Sequence, residues 1–185
     1  MQSIATRRVQ SWSLGVLIVA LIATVGFAVQ REIGVKTTAP SAATAPVARE
    51  AHSLTAAEDS YAEALWPIHS ETKLTAVRMS FAGLSYKTDE RNLAKLDAKL
   101  QPLIESFKAA GVKAQALDVP PSLQKIHQHY LDALALYETA SIEMAKVTRE
   151  GNESHLLEAQ SMSQRAAENL LRVGEVLWPA EHKPH

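Results

Sequence analysis

The sequence predicts an all-α protein: an up-down-up-down antiparallel four-helix bundle preceded by one N-terminal transmembrane or signal-anchor helix. Three observations predict it. Apolar residues recur at steps of three and four through four successive stretches, no stretch alternates with the period of two that strands need, and residues 13–29 carry no charge at all. The 185 residues, 46% apolar and 21% charged, hold one membrane-targeting segment and one domain of ordinary size.

The N-terminal stretch Ser13–Val29, SLGVLIVALIATVGFAV, reaches about 25 Å as a helix, near the shortest length that crosses a bilayer. Gly26-Phe27-Ala28 offers small residues for cleavage of a signal peptide, but the apolar core runs straight into it, which favours an uncleaved anchor. Arg7 and Arg8 hold residues 1–12 in the cytoplasm by the positive-inside bias. The expected location is therefore the inner membrane, single-pass, with the C-terminal domain in the periplasmic or extracytoplasmic space. Residues 30–52, rich in Ala, Thr and Pro, read as a tether.

Residues 53–185 read as the bundle, with helices at about 54–86, 89–110, 122–148 and 153–178. The first stripe is Tyr61, Leu65, Ile68, Thr72, Thr75, Met79, Ala82 and Tyr86; the second is Leu93, Leu96, Leu100, Leu103, Phe107 and Ala110. The third is Leu123, Ile126, Tyr130, Ala133, Tyr137, Ala140, Met144 and Val147; the fourth is Leu156, Ala159, Ser163, Ala166, Leu170, Val173 and Leu177. Each keeps one face of its helix toward a partner through several turns. Ser53, Thr88, Ser122 and Asn152 are the expected N-caps, Gly111 and Gly151 the expected stops, and Pro120-Pro121 the start of the third helix. Pro67 and Pro102 lie inside the pattern and predict kinks.

In such a topology the starts of helices one and three share an end with the finishes of helices two and four. Leu65-Trp66-Pro67 and Leu177-Trp178-Pro179 then lie at one pole, together with His69, His127, His129 and His182. Tryptophan combines an apolar body with one donor, which suits either plugging the end of a bundle or meeting a partner. Trp66, His69, His127, His129, Trp178 and His182 are accordingly the candidate partner-docking residues. Thr72, Thr75, Tyr130, Tyr137 and Ser163 make the mid-bundle core small and polar. They predict either close packing with hydroxyls bonded to backbone carbonyls or a modest ligand cavity.

The absence of cysteine excludes disulfides, thiolate metal sites, cysteine nucleophiles and covalent c-type haem. No Gly-rich phosphate loop, nucleophile elbow or metalloprotease helix is present, so no catalytic residue, metal or cofactor is expected and the protein is read as non-enzymatic. Residues 51–185 hold 14 Lys and Arg against 18 Asp and Glu with no basic stripe, which leaves no footprint for nucleic acid. Over its helical region the pattern resembles the four-helix cytochromes of the bacterial periplasm, of the c-prime kind. The Cys-x-x-Cys-His attachment is missing, so that architectural resemblance assigns no ligand. Two functions fit these features. The first is a membrane-anchored binding or accessory module for a membrane-associated protein complex; the second is a periplasmic binding or sensor protein for a small ligand, a metal or non-covalent haem.

Overall fold

A computed structural model describes residues 53–89 and 91–179. The expected membrane segment 13–29, the tether 30–52 and His182 lie outside the described residues. Within them the chain is all-helical: α1 (Ala56–Thr88), α2 (Leu93–Gln115), a 3-10 turn (Pro121–Leu123), α3 (Gln124–Glu150) and α4 (Ser154–Leu177), with no strand.

The apolar stripes are the buried faces. Tyr61, Leu65, Met79, Leu96, Leu100, Phe107, Tyr130, Val147, Val173 and Leu177 lie in one continuous core, whereas Leu93, at the first position of α2, is exposed. Contacts fix the mutual directions of the helices. The beginning of α1 meets the beginning of α3 through Tyr61 and His127, and the end of α4 through Trp66 and Trp178. Its other end meets the start of α4, where Tyr86 and Lys87 reach Glu153. The end of α3 returns to the start of α2 through Thr148 and Asp97.

The helix boundaries differ from the expected ones for local reasons. Thr55, not Ser53, caps α1, because Glu58 three residues on closes a capping box with it: the Thr55 backbone N–H donates to Glu58 Oε2 at 2.8 Å and the Glu58 backbone N–H donates back to the Thr55 hydroxyl. Thr88 lies in the last turn of α1 and donates to the Leu84 carbonyl; the cap of α2 is Asn92, whose side chain accepts from the Lys95 amide at 2.9 Å. Arg91, at φ 54°, turns the corner between them. Ser122 caps nothing and instead donates to Glu58 Oε1 at 2.7 Å. Asn152 accepts from the Ser154 amide, although Glu153 occupies the cap position of α4.

Gly111 does not stop α2. The helix continues to Gln115 because Ala114, fully buried, extends the stripe one turn beyond Ala110. Pro67 and Pro102 are both exposed and both helices run through them, so the carbonyls that lose their donors are on the water side. Gly151 does end α3, at φ 67°, with its N–H bonded to the Val147 carbonyl. Nothing lies within 4 Å of where its Cβ would stand, so only backbone conformation resists a side chain there. Gly151→Ala should therefore lower the unfolding free energy by about 1 kcal/mol, read as a fall in the urea midpoint with unchanged slope, while Gly111→Ala should raise it.

Candidate functional site

At the end where α1 and α3 begin and α4 finishes, rings replace aliphatic packing. Trp66 and Trp178 meet edge to face with centroids 5.1 Å apart, and the His69 ring lies 4.6 Å from Trp178 and 6.0 Å from Trp66. On its inner side His69 is 6.1 Å from Tyr130. The position of each ring follows from the chain. Trp66, His69 and Tyr61 lie within two turns of α1, and Trp178 sits just past the last turn of α4, where its N–H still bonds the Gly174 carbonyl before Pro179 ends the helix.

Nearer the start of α1 and α3, the Tyr61 hydroxyl is 2.8 Å from His127 Nδ1. Burial holds the phenol protonated, pushing Tyr61 up to about 12, and holds the imidazole neutral by lowering the His127 pKa. The phenol is the stronger donor of the two and the imidazole nitrogen the stronger acceptor, so the O–H donates to Nδ1. One turn beyond His69, Thr72 donates to the Ile68 carbonyl at 2.7 Å, with its hydroxyl 3.4 Å from that of Tyr130. Burial raises Tyr130 strongly, so it too stays neutral.

Burial separates the six docking candidates. Trp178, His69 and His127 are enclosed, at 3%, 3% and 8% exposure. Indole and imidazole rings at the end of the core cover one another, so these three are packing groups in this structure rather than a contact surface. Trp66 and His129 are half-buried and stay within reach of a partner, and His182 lies outside the described residues. The five cavity candidates meet different partners. Ser163 donates to the Ala159 carbonyl, Thr72 to Ile68, and Tyr137 stacks on Phe107 at 5.1 Å. Thr75 lines a groove that opens between α1 and α2. Close packing with hydroxyls bonded to the backbone thus accounts for Thr72 and Ser163.

Two features lay outside the expected site. Leu74, Val77 and Phe81 form a second apolar stripe on the outer face of α1, 44%, 46% and 64% exposed, running away from half-buried Trp66. Their spacing of three and four was visible in the sequence, on the face opposite the core stripe. At the other end of the molecule His155 joins α4 to α3: Nδ1 meets Glu143 Oε1 at 2.5 Å and Nε2 meets Glu150 Oε2 at 2.8 Å. Glu143, His155 and Glu158 bring one possible metal-ligating atom each within 4.8 Å of one another. However, Lys146 occupies the second Glu143 oxygen at 2.7 Å, and both imidazole nitrogens already face carboxylates. The cluster satisfies itself as an ion-pair network.

Compared with protein-family models, with curated proteins and with solved structures, the chain matches none.

The two buried or bridged imidazoles predict opposite pH dependences. Hydrogen bonds to Glu150 and then Glu143 raise the His155 pKa, so its stabilisation is complete below the unfolded value of about 6.5 and is lost as pH rises through the folded value. Desolvation lowers the His127 pKa, so stability is lost as pH falls below about 6.5 toward its folded value. In urea titrations from acid to mildly alkaline pH, the deficit of His155→Gln should be largest on the acid side and shrink with rising pH. His127→Gln should instead lessen the loss of stability on the acid side.

Proposed function

We propose that this chain is a non-catalytic, membrane-anchored module, built as an up-down-up-down bundle on the extracytoplasmic side, that binds a protein of a membrane-associated complex. Residues 13–29 supply the anchor and residues 30–52 the reach. The observation that carries the docking part is the unpartnered apolar stripe Leu74, Val77 and Phe81, continued by half-buried Trp66. Large apolar side chains repeated along one exposed helix face suit an amphipathic helix laid alongside. Each such side chain taken fully out of water contributes about 1.5–3 kcal/mol, less here because all three are already partly covered.

The ring cluster supports this reading by rigidity rather than by contact. It ties the start of α1 to α3 and α4, which holds Trp66 and the stripe in a fixed orientation. A preformed face loses less conformational entropy on binding.

A photo-crosslinking residue placed at position 77 or 81 of the full chain, in native membranes, should capture one defined protein band, and the same residue at Val112 or Leu157 should not. Phe81→Ala should weaken capture from position 77 several-fold without changing helical content by circular dichroism. Equal capture from all four positions, or none from 77 and 81, would refute the docking face.

A further inference from the structure

The groove between α1 and α2 has a chemistry of its own. It offers about 710 Å3 and is open to solvent along its length; small-molecule sites span about 300–1,000 Å3. Its floor is apolar, formed by the buried Ala82 and Leu103, and the exposed Phe81 stands in its wall. At one point the walls are joined by the Thr75 and Ser106 hydroxyls, 3.2 Å apart.

The charges of the groove do not balance. Arg78 and Glu71 face each other at 3.5 Å, the outer limit of contact, and both are more than half exposed. Such a pair is weak. Lys99 turns its ammonium onto the Ser85 hydroxyl at 2.7 Å and has no carboxylate partner among the described residues. One acid against two cations leaves the groove with a net positive charge beside an apolar floor and an uncovered aromatic ring.

We infer that this groove binds a small organic monoanion: a carboxylate carrying a compact aromatic or aliphatic body. The carboxylate meets the Lys99 ammonium and the Arg78 guanidinium, whose donors give charge-assisted hydrogen bonds. The body lies over Leu103 and Ala82 and covers Phe81. Neither end suffices alone. A neutral body lacks the ionic contact, and a bare acetate buries no apolar surface. The inference does not rest on the docking reading, because it needs no partner protein and centres on Lys99, which lies on α2.

The test is a titration of the full chain in nanodiscs with 3-phenylpropionate, followed by saturation-transfer NMR and corrected with empty nanodiscs. Saturable binding is expected at about millimolar concentration. The isosteric alcohol 3-phenylpropanol and the variant Lys99→Met should each weaken it by about fivefold or more. Lys99→Arg should restore the affinity, and Lys113→Met, on the same helix but outside the groove, should leave it unchanged. Circular dichroism checks that Lys99→Met, at an exposed position, keeps its helices. The inference is overturned by absence of saturable binding, by equal affinity for acid and alcohol, or by an affinity indifferent to Lys99→Met.

Discussion

The buried face of α1 is half polar, and the rest of the architecture follows from satisfying it. Glu58, Tyr61, His69, Thr72 and Thr75 are all buried along this single helix. A buried polar atom without a partner costs about 1–3 kcal/mol, so α1 is stable only where its partners stand at the right heights. Four of the five meet a polar group, Ser122 on Glu58, His127 on Tyr61, Tyr130 beside Thr72 and Ser106 beside Thr75, while His69 packs its ring against Trp178, Trp66 and Tyr130. At the far end Tyr86 and Lys87 share Glu153. A purely apolar seam could slide by a turn at modest cost. This one cannot, because a shift by one residue would break several of these contacts at once. Polar groups in a helical seam act here as register marks, at some expense in stability.

The ring cluster extends the same logic to the end of α4. Where α4 finishes, no further turn is available to cover α1, and aliphatic side chains would leave the last layer open to water. Two indoles and an imidazole close it with wide, flat groups that need few residues. Their order also explains why Trp178 is buried while Trp66 is not. Trp178 caps the core and Trp66 caps Trp178.

The four helices were legible because burial and the 3.6-residue period are the same fact seen twice. Every stripe position of α3 and α4 is buried or half-buried, from Leu123 to Val147 and from Leu156 to Leu177. The meeting of Trp66 with Trp178 was legible as well, since connection lengths decide which helix ends coincide. Exposure was not legible, because periodicity tells which face a residue occupies but not whether a neighbour's ring covers it. Periodicity therefore left open whether Trp178 and its neighbour His69 plug the end of the bundle or meet a partner. Boundaries depended on competition between nearby caps, which Thr55 won over Ser53 only because Glu58 answers it. The His155 bridge joins residues twelve apart across the Gly151 corner, a pairing set by the geometry of the turn rather than by any motif. The groove at Lys99 is equally a product of packing: its charges come from α1 and α2, and neither helix alone shows that one of them lacks a partner.

These features converge on α1. Its inward face is fixed by polar partners as well as by apolar residues, and its outward face leaves the large apolar side chains Leu74, Val77 and Phe81 in water. A ligand or protein that covers that surface binds the folded helix and not the unfolded chain, and it stabilises α1 by mass action, by RT ln(1 + [L]/Kd). Occupation of the α1–α2 groove and occupation of the outer stripe both involve Phe81, which lines the one and belongs to the other. Were both faces occupied, the two events would be coupled through one side chain. If the acid draws Phe81 into the groove, the stripe loses its most exposed residue and partner affinity falls; by reciprocity a bound partner then weakens the acid by the same factor. If the ring stays outward, both occupants favour the same folded α1 and each strengthens the other. The sign of that coupling is a property of the Phe81 rotamer, and measuring acid affinity with and without the partner bound determines it.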